Sequence, residues 1–140
     1  MKIKQIMKKA VFVSLNTLKK DLLKIAKKHP NTKIFVIIDK KKQFLGDIHE
    51  NDLFYMFIPN KYYETAGMNL AFDLEKKFFA KTAKEIMRKH DTTCNQDDEL
   101  TDVALKIANI EINEIPVLNK KNEVVGVIDQ GTILRHLNLK

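Results

Sequence analysis

The chain has 140 residues, 44% hydrophobic and 31% charged, with a net charge of +7. That length and balance suit one compact folded unit and exclude a disordered chain. No apolar run approaches the roughly 18 residues a membrane helix needs, and a single Cys94 excludes an internal disulfide. The opening stretch MKIKQIMKKA interleaves lysines with isolated apolar residues, so no secretory leader is expected and the predicted location is cytoplasmic. Charge is uneven. Residues 1–58 carry 13 Lys and 5 acids, residues 59–82 carry 4 Lys and 3 acids, and residues 83–140 carry 8 Lys or Arg and 10 acids. A basic first half suits an acidic partner or a polyphosphate; a solvated lysine surface is the other reading.

Taken in order, the elements repeat. A short apolar run, Val11 to Val13, precedes the polar cluster Ser14 to Thr17. Leu18, Leu22, Ile25 and Ala26 then recur at helical spacing. IFVIID reads as a buried strand, KKKQ as a hairpin turn, FLGDI as the return strand, and Asn51 to Phe57 as a helix stopped by Pro59. Residues 59–82 form a linker, with Gly67 as a break and Leu70, Leu74 and Phe78 predicting a helix. Tyr62 and Tyr63 are candidates for packing onto the folded units or for stacking on a base.

The second pass begins at Ala83. KEIM repeats KQIM at an offset of 80, LKIA recurs at 82, and VLNKKNEVVGVI realigns with IIDKKKQFLGDI at 80. Thr92 to Cys94 repeats the first strand, Asp97 and Asp98 are N-cap candidates, and Leu100, Ala104, Ile107 and Ala108 continue the helical stripe. IPVLN and VVGVI are strands, and Gly131 to Leu137 is the last helix. The expectation is an α/β (α+β) fold: two β-α-β-β-α repeats, 1–58 and 83–140, packed with pseudo-twofold symmetry as one module.

Motifs for catalysis are missing. Gly46, Gly67, Gly126 and Gly131 are too scattered for a phosphate-cradling loop. His29, His49, His90 and His136 have no metal-ligand spacing with one another or with Cys94, so no metal is expected. Ser14 is the only serine. The chain is not predicted to be an enzyme.

The element order, the duplication and the phrase AKEIM…ELTDVALKIANIEINEIPVLNKKNEVVGVIDQGTIL together resemble a tandem pair of cystathionine-β-synthase (CBS) domains, the Bateman module. The first copy departs from the pattern at Val36, where the family's usual proline is matched here by Pro116. The resemblance implies a regulatory module that binds an adenosyl compound in the cleft between repeats and often dimerises. AMP, ADP, ATP and S-adenosylmethionine are the candidate ligands, and no cofactor is required. It also implies a site phrase of glycine, two strand residues, Thr or Ser, two variable residues, then Asp at a helix start.

Carried over residue by residue, the first copy supplies Gly46, His49 in the Thr position and Asp52 as ribose acceptor. The second supplies Gly126, Asp129 in the Thr position and Thr132 in the Asp position. Thr32, Ile34 and Val36 fall near the base in this scheme, and Thr93, Ile115, Pro116 and Arg135 flank the second pocket. A carboxylate about 4 Å from a phosphate costs roughly 4 kcal/mol at an effective dielectric of 20 before screening. Asp129 therefore disfavours a bare monophosphate, which leaves a neutral or cationic adenosyl compound, a nucleotide bound through Mg²⁺, or an empty pocket with Asp129 as helix cap. Arg135 and His136 stand ready to offset its charge. The competing functions are a partner-binding module with degenerate pockets and nucleic-acid binding through the basic half, the latter weakened by the absence of arginine before Arg88.

Overall fold

The computed structural model describes residues 1–58, 75–90, 92–110 and 112–138. Most of the expected linker, including Pro59, Tyr62, Tyr63, Gly67, Leu70 and Leu74, lies outside these residues; residues 75–79, with Phe78, are helical. The first repeat runs β1 (Phe12–Val13), α1 (Lys19–Lys28), β2 (Ile34–Ile38), β3 (Phe44–His49) and α2 (Glu50–Met56). After the short helix α3 (Ala83–Ile86), the second runs β4 (Cys94–Asn95), α4 (Leu100–Ile110), β5 (Glu114–Leu118), β6 (Val124–Asp129) and α5 (Gln130–His136). Each repeat forms a three-stranded sheet in chain order, its first pair parallel and its second antiparallel.

The helical stripes face cores except at their ends, where Leu18 is 47% exposed and Ala108 is exposed, and Val103, outside the expected stripe, is buried in their place. Leu22 is buried in the first core with Phe35, Ile37 and Ile48. Leu100, Val103 and Ile107 are buried in the second with Ile115, Val117 and Ile128. Strand alternation sends the other phase, Ile34 and Val36, to a third cluster with Val124 and Val127, where the two sheets meet. The hairpin turns also agree in design. Asp39 Oδ1 accepts from the amides of Lys41 and Gln43, and Asn119 Oδ1 from those of Lys121 and Glu123. Their tips touch, with the Val124 amide donating to the Lys42 carbonyl at 3.0 Å.

One expectation fails locally. Asp97 and Asp98 precede α4 but do not cap it: Asp98 accepts from the Asn95 amide at 2.9 Å, closing the turn before the helix. Asp97 instead pairs with Lys4 at 3.0 Å. Short Asp side chains serve local turns as readily as helix caps, and sequence alone does not separate the two uses.

Each repeat's leading segment docks on the other repeat. Lys8 and Val127 exchange both backbone hydrogen bonds, at 2.8 and 2.9 Å. Arg88 and Asp47, their equivalents at an offset of 80, do the same at 2.8 and 3.0 Å. Ile3, fully buried, completes the second core, while Ala83 and Ile86 complete the first. Burying one such isoleucine contributes about 1.5–3 kcal/mol.

The two strand glycines make this approach possible. A Cβ on Gly46 would stand 2.5 Å from the Arg88 carbonyl oxygen, and one on Gly126 would stand 2.7 Å from that of Lys8. Gly46→Ala and Gly126→Ala should therefore each lower stability by about 1–3 kcal/mol through overpacking, measured by urea denaturation. Losses under about 0.5 kcal/mol at both positions would show that the segments do not lie against these strands.

Candidate functional site

The crossed segments bring cations to the starts of the opposite helices. In the first repeat, His49 ends β3 and adopts extended dihedrals, and its amide donates to Asp52 Oδ2 at 3.0 Å as α2 begins. Asp52 is 1% exposed. Its carboxylate takes a bidentate pair from Arg88, with Nε and Nη2 each at 2.8 Å, and a third bond from Lys77 at 3.0 Å. Burial acts against the Asp52 charge, but the Arg88, His49 and Lys77 hydrogen bonds outweigh it and hold the carboxyl below its usual range.

In the second repeat, Asp129 caps α5 by accepting from the Thr132 amide at 2.7 Å. Lys8 Nζ reaches it at 2.5 Å and reaches buried Glu114 at 3.5 Å. Burial opposes the Asp129 charge, and the hydrogen bonds from Lys8 and Thr132 overcome it, so this carboxyl also sits low. Glu114 is the opposite case. Burial pushes its carboxyl up despite Lys8 and the amides of Lys33 and Ile34, which donate to Oε2 at 3.0 and 3.1 Å.

Between the halves lies a cavity of about 320 Å³ lined by Lys33, Ile34, His49, Glu50, Asn51, Arg88, Ile112, Asn113 and Glu114. Its floor is where β2 and β5 begin, and both repeats contribute side chains. Larger concavities lie elsewhere, on the outer helical faces. The groove between α1 and α2 measures about 640 Å³ and that between α4 and α5 about 520 Å³, but both are apolar and hold little chemistry.

A family model described as "CBS domain" matches residues 83–139. Among solved structures, the CBS-domain pair of protein MJ0100, in complex with 5′-methylthioadenosine and S-adenosyl-L-methionine, is 26% identical. The match covers 96% of this chain and 98% of that one, with a TM-score of 0.72. The second half of this chain matches the CBS domain, and the whole chain has the fold of a CBS-domain pair. The pair is also similar to CBSX2 of Arabidopsis thaliana in complex with AMP, at 17% identity over 96% of this chain and 93% of that one, TM-score 0.73. The CBS domain of a CBS-domain-containing membrane protein from Sphaerobacter thermophilus is 21% identical over 100% of this chain and 90% of that one, TM-score 0.73. No curated sequence matches the chain.

The residues carried over from the family pattern fall in different places. His49 and Ile34 line the inter-repeat cavity, and Asp52 lies behind it, bound to Arg88. Val36 and Pro116 are buried; Val36 sits in the inter-sheet cluster and Pro116 is paired in register with Val127 there. Ile115 is a correction: it is one strand position out of phase and packs into the second core. Thr32 is another, for it lines the outer groove between α1 and α2 beside Phe35 and Leu53. Thr93 is half-buried, and its carbonyl accepts from Lys106 at 2.7 Å. Thr132 is half-buried and gives its amide to Asp129, while Arg135 is exposed. The cation offsetting Asp129 is Lys8, not the nearby Arg135 or His136.

Sequence reasoning missed Lys8, Arg88, Lys33, Asp47, His90 and Glu114. A signal existed for the first two, since Lys8 and Arg88 occupy the same place in MKKA and MRKH. That they cross to the other repeat is not written locally.

Asp52→Asn should lower stability by about 2 kcal/mol at pH 7, measured by urea denaturation. That is less than the 3–5 kcal/mol typical of breaking a buried pair, because the Arg88 side chain is 45% exposed and stays hydrated. A carboxyl lowered by folding contributes stability that is complete above its unfolded value, about 3.9. That contribution is lost as pH falls through the folded value. The gap between wild type and variant should therefore shrink below pH 4; an equal gap at pH 7 and pH 3 would show that the Asp52 charge is not what holds Arg88.

Proposed function

We propose that this CBS-domain pair is a cytoplasmic regulatory module that binds an adenine nucleotide or another adenosyl compound in the inter-repeat cleft. The observation carrying this reading is the cavity at the junction, where Lys33, His49 and Arg88 face one space with Asn51 and Asn113. Lys33, Arg88 and the His49 imidazole suit a phosphate, and the amides suit a base edge or ribose. The two lining acids are answered, Glu50 by Lys33 at 3.8 Å and Glu114 by Lys8 at 3.5 Å. The similarity to pairs described in complex with AMP, and with S-adenosyl-L-methionine and 5′-methylthioadenosine, supports the same ligand class.

In this reading Asp52 keeps its role as ribose acceptor, and Arg88 is its partner in the ligand-free chain. A phosphate arriving beside Lys33 draws the guanidinium from Asp52, which frees the carboxylate for ribose hydroxyls. The exchange replaces one charge-assisted pair by two others, so it requires no unpaired buried charge at any stage. The second pocket stays closed, because Thr132 stands where the ribose acceptor belongs and Asp129 puts a carboxylate where the phosphate would sit. That exchange favours the degenerate-pocket reading for the second half alone. The module acts by binding rather than catalysis: the ligand shifts how the repeats, a second copy or a regulated protein pack together.

The outer grooves supply the surface for a homodimer. Phe54 is 64% exposed beside one and Leu134 70% exposed beside the other. Large apolar side chains clustered on two helical faces are the usual mark of an interface.

Calorimetric titration of AMP, ADP and ATP should give one ligand per chain, with Asp52→Ala and Arg88→Ala each weakening binding at least tenfold. Equal heats from wild type and both variants would remove these residues from the site. Phe54→Lys should convert a dimer to a monomer in analytical ultracentrifugation; a wild-type monomer at high concentration would reject the dimer.

A further inference from the structure

The other buried acid of the first repeat has no role in the nucleotide reading. Asp47 is 1% exposed on β3, and its carboxylate lies between two imidazoles. His90 Nε2 is 2.8 Å from Oδ2, and His49 Nε2 is 3.3 Å from Oδ1. Oδ1 is fully buried, and its one close donor, the His49 ring at 3.3 Å, lacks hydrogen-bond geometry, which leaves lone-pair capacity facing the cluster. The donor atoms of Asp47, His49 and His90 all lie within 4.8 Å of one another.

The pseudo-symmetry shows that the fold does not need this acid. At an offset of 80, Asp47 corresponds to Val127, His49 to Asp129 and His90 to Ala10. In the second repeat Val127 and Ala10 simply pack into the inter-sheet core. One of two equivalent positions therefore carries an incompletely satisfied buried carboxylate with two histidines where apolar packing serves the other. Burying such a group without a full set of partners is costly, so its presence calls for an occupant.

We propose that Asp47, His49 and His90 form a binding site for a zinc-class divalent transition metal, one ion per chain. Two imidazole nitrogens and one carboxylate oxygen are a borderline donor set, suited to Zn²⁺, Co²⁺ or Ni²⁺ rather than Mg²⁺ or Ca²⁺. Metal bonds of about 2.0–2.2 Å place tetrahedral donors roughly 3.3 Å apart, close to the present spacing, so modest side-chain rotation admits the ion. Asp47 and His49 sit two residues apart on one strand, which aims both to one face. His90 arrives on the segment docked through Arg88, and Phe44 holds its ring edge-on at 5.4 Å between centroids.

Two features oppose the ion and are weaker. Arg88 lies on the same segment, but its guanidinium is engaged by Asp52. The Thr92 amide donates to His90 Nδ1 at 3.1 Å, which places the neutral ring's proton on Nε2. Coordination through Nε2 moves that proton to Nδ1 and turns the Thr92 amide away, so the Thr92–His90 and His90–Asp47 hydrogen bonds are exchanged for three ligand bonds. The ion would join β3 of the first repeat to the segment that opens the second, across 43 sequence positions, beside the cleft that His49 also lines.

The test uses chelator-stripped full chain without nucleotide, so its result is independent of the proposed ligand function. Zn²⁺ should bind by calorimetry at one equivalent, and Co²⁺ should give the intense visible absorption of a tetrahedral site. His49→Ala, His90→Ala and Asp47→Val should each weaken Zn²⁺ binding at least 100-fold, while His29→Ala and His136→Ala leave it unchanged. Asp47→Val installs the residue used at the equivalent position, so it keeps a folded protein available if a histidine variant unfolds. No saturable binding, or equal affinity in wild type and Asp47→Val, would overturn the proposal and leave the cluster as a hydrogen-bonded bridge between repeats.

Discussion

Two reciprocal pairs of backbone hydrogen bonds lay each leading segment on the other repeat's strand, one joining Lys8 to Val127 and one joining Arg88 to Asp47. Everything else in the module follows from this exchange. Neither core is complete without the other repeat's leading segment, since Ile3 belongs to one and Ala83 with Ile86 to the other. The approach is close enough that only glycine is accommodated beside each docked carbonyl. A segment laid so tightly on the strand before α2 or α5 projects the docked residue's own charged side chain, Arg88 or Lys8, to the start of that helix. The same contact that closes the fold therefore furnishes the site with its cations.

Much of this architecture is legible in the residues, because local pattern and tertiary role agree. The repeated hairpins with Asp39 and Asn119 as turn acceptors, the helical stripes through Leu22 and Ile107, and the glycine-strand phrases all lie within short windows. Element boundaries differ by a residue or so: the final helices begin at Glu50 and Gln130, one position before their expected starts. What failed depends on strand phase or on distance along the chain. Ile115 and Pro116 are adjacent, yet one enters the second core and the other faces the first sheet. Thr32 precedes β2 by two positions, enough for it to fall beyond the cleft. The histidines seemed unrelated because the carboxylate that unites them is 43 positions from His90.

Chemically, the two halves diverge where their backbones agree. Asp47 stands against Val127, Asp52 against Thr132, and Ile34 against Glu114. Among the described residues, the three buried acids are thus divided between the repeats, and each is answered across the junction. Arg88 and His90 of the second half serve Asp52 and Asp47, while Lys8 and the Lys33 and Ile34 amides of the first half serve Glu114. Duplication followed by such exchange turns a symmetric shell into an asymmetric interior, with one cleft cavity built from unlike contributions.

The asymmetry also bears on which repeat pairs with which. If the first repeats of two copies were to embrace in place of a first and a second, the segment with Lys8 and Ala10 would dock where Arg88 and His90 now lie. Asp47 would lose the His90 bond and keep only His49, and Asp52 would exchange the Arg88 fork for a lysine while keeping Lys77. Each acid is 1% exposed, so water cannot replace what is lost. Removing a partner from a buried carboxylate costs up to about 3–5 kcal/mol, a large share of a small domain's stability. The apolar positions alone would tolerate either pairing, because Val36, Ile38 and Phe44 are matched by the apolar Pro116, Leu118 and Val124. Charge placed unequally on equal backbones is what ties the first repeat to the second.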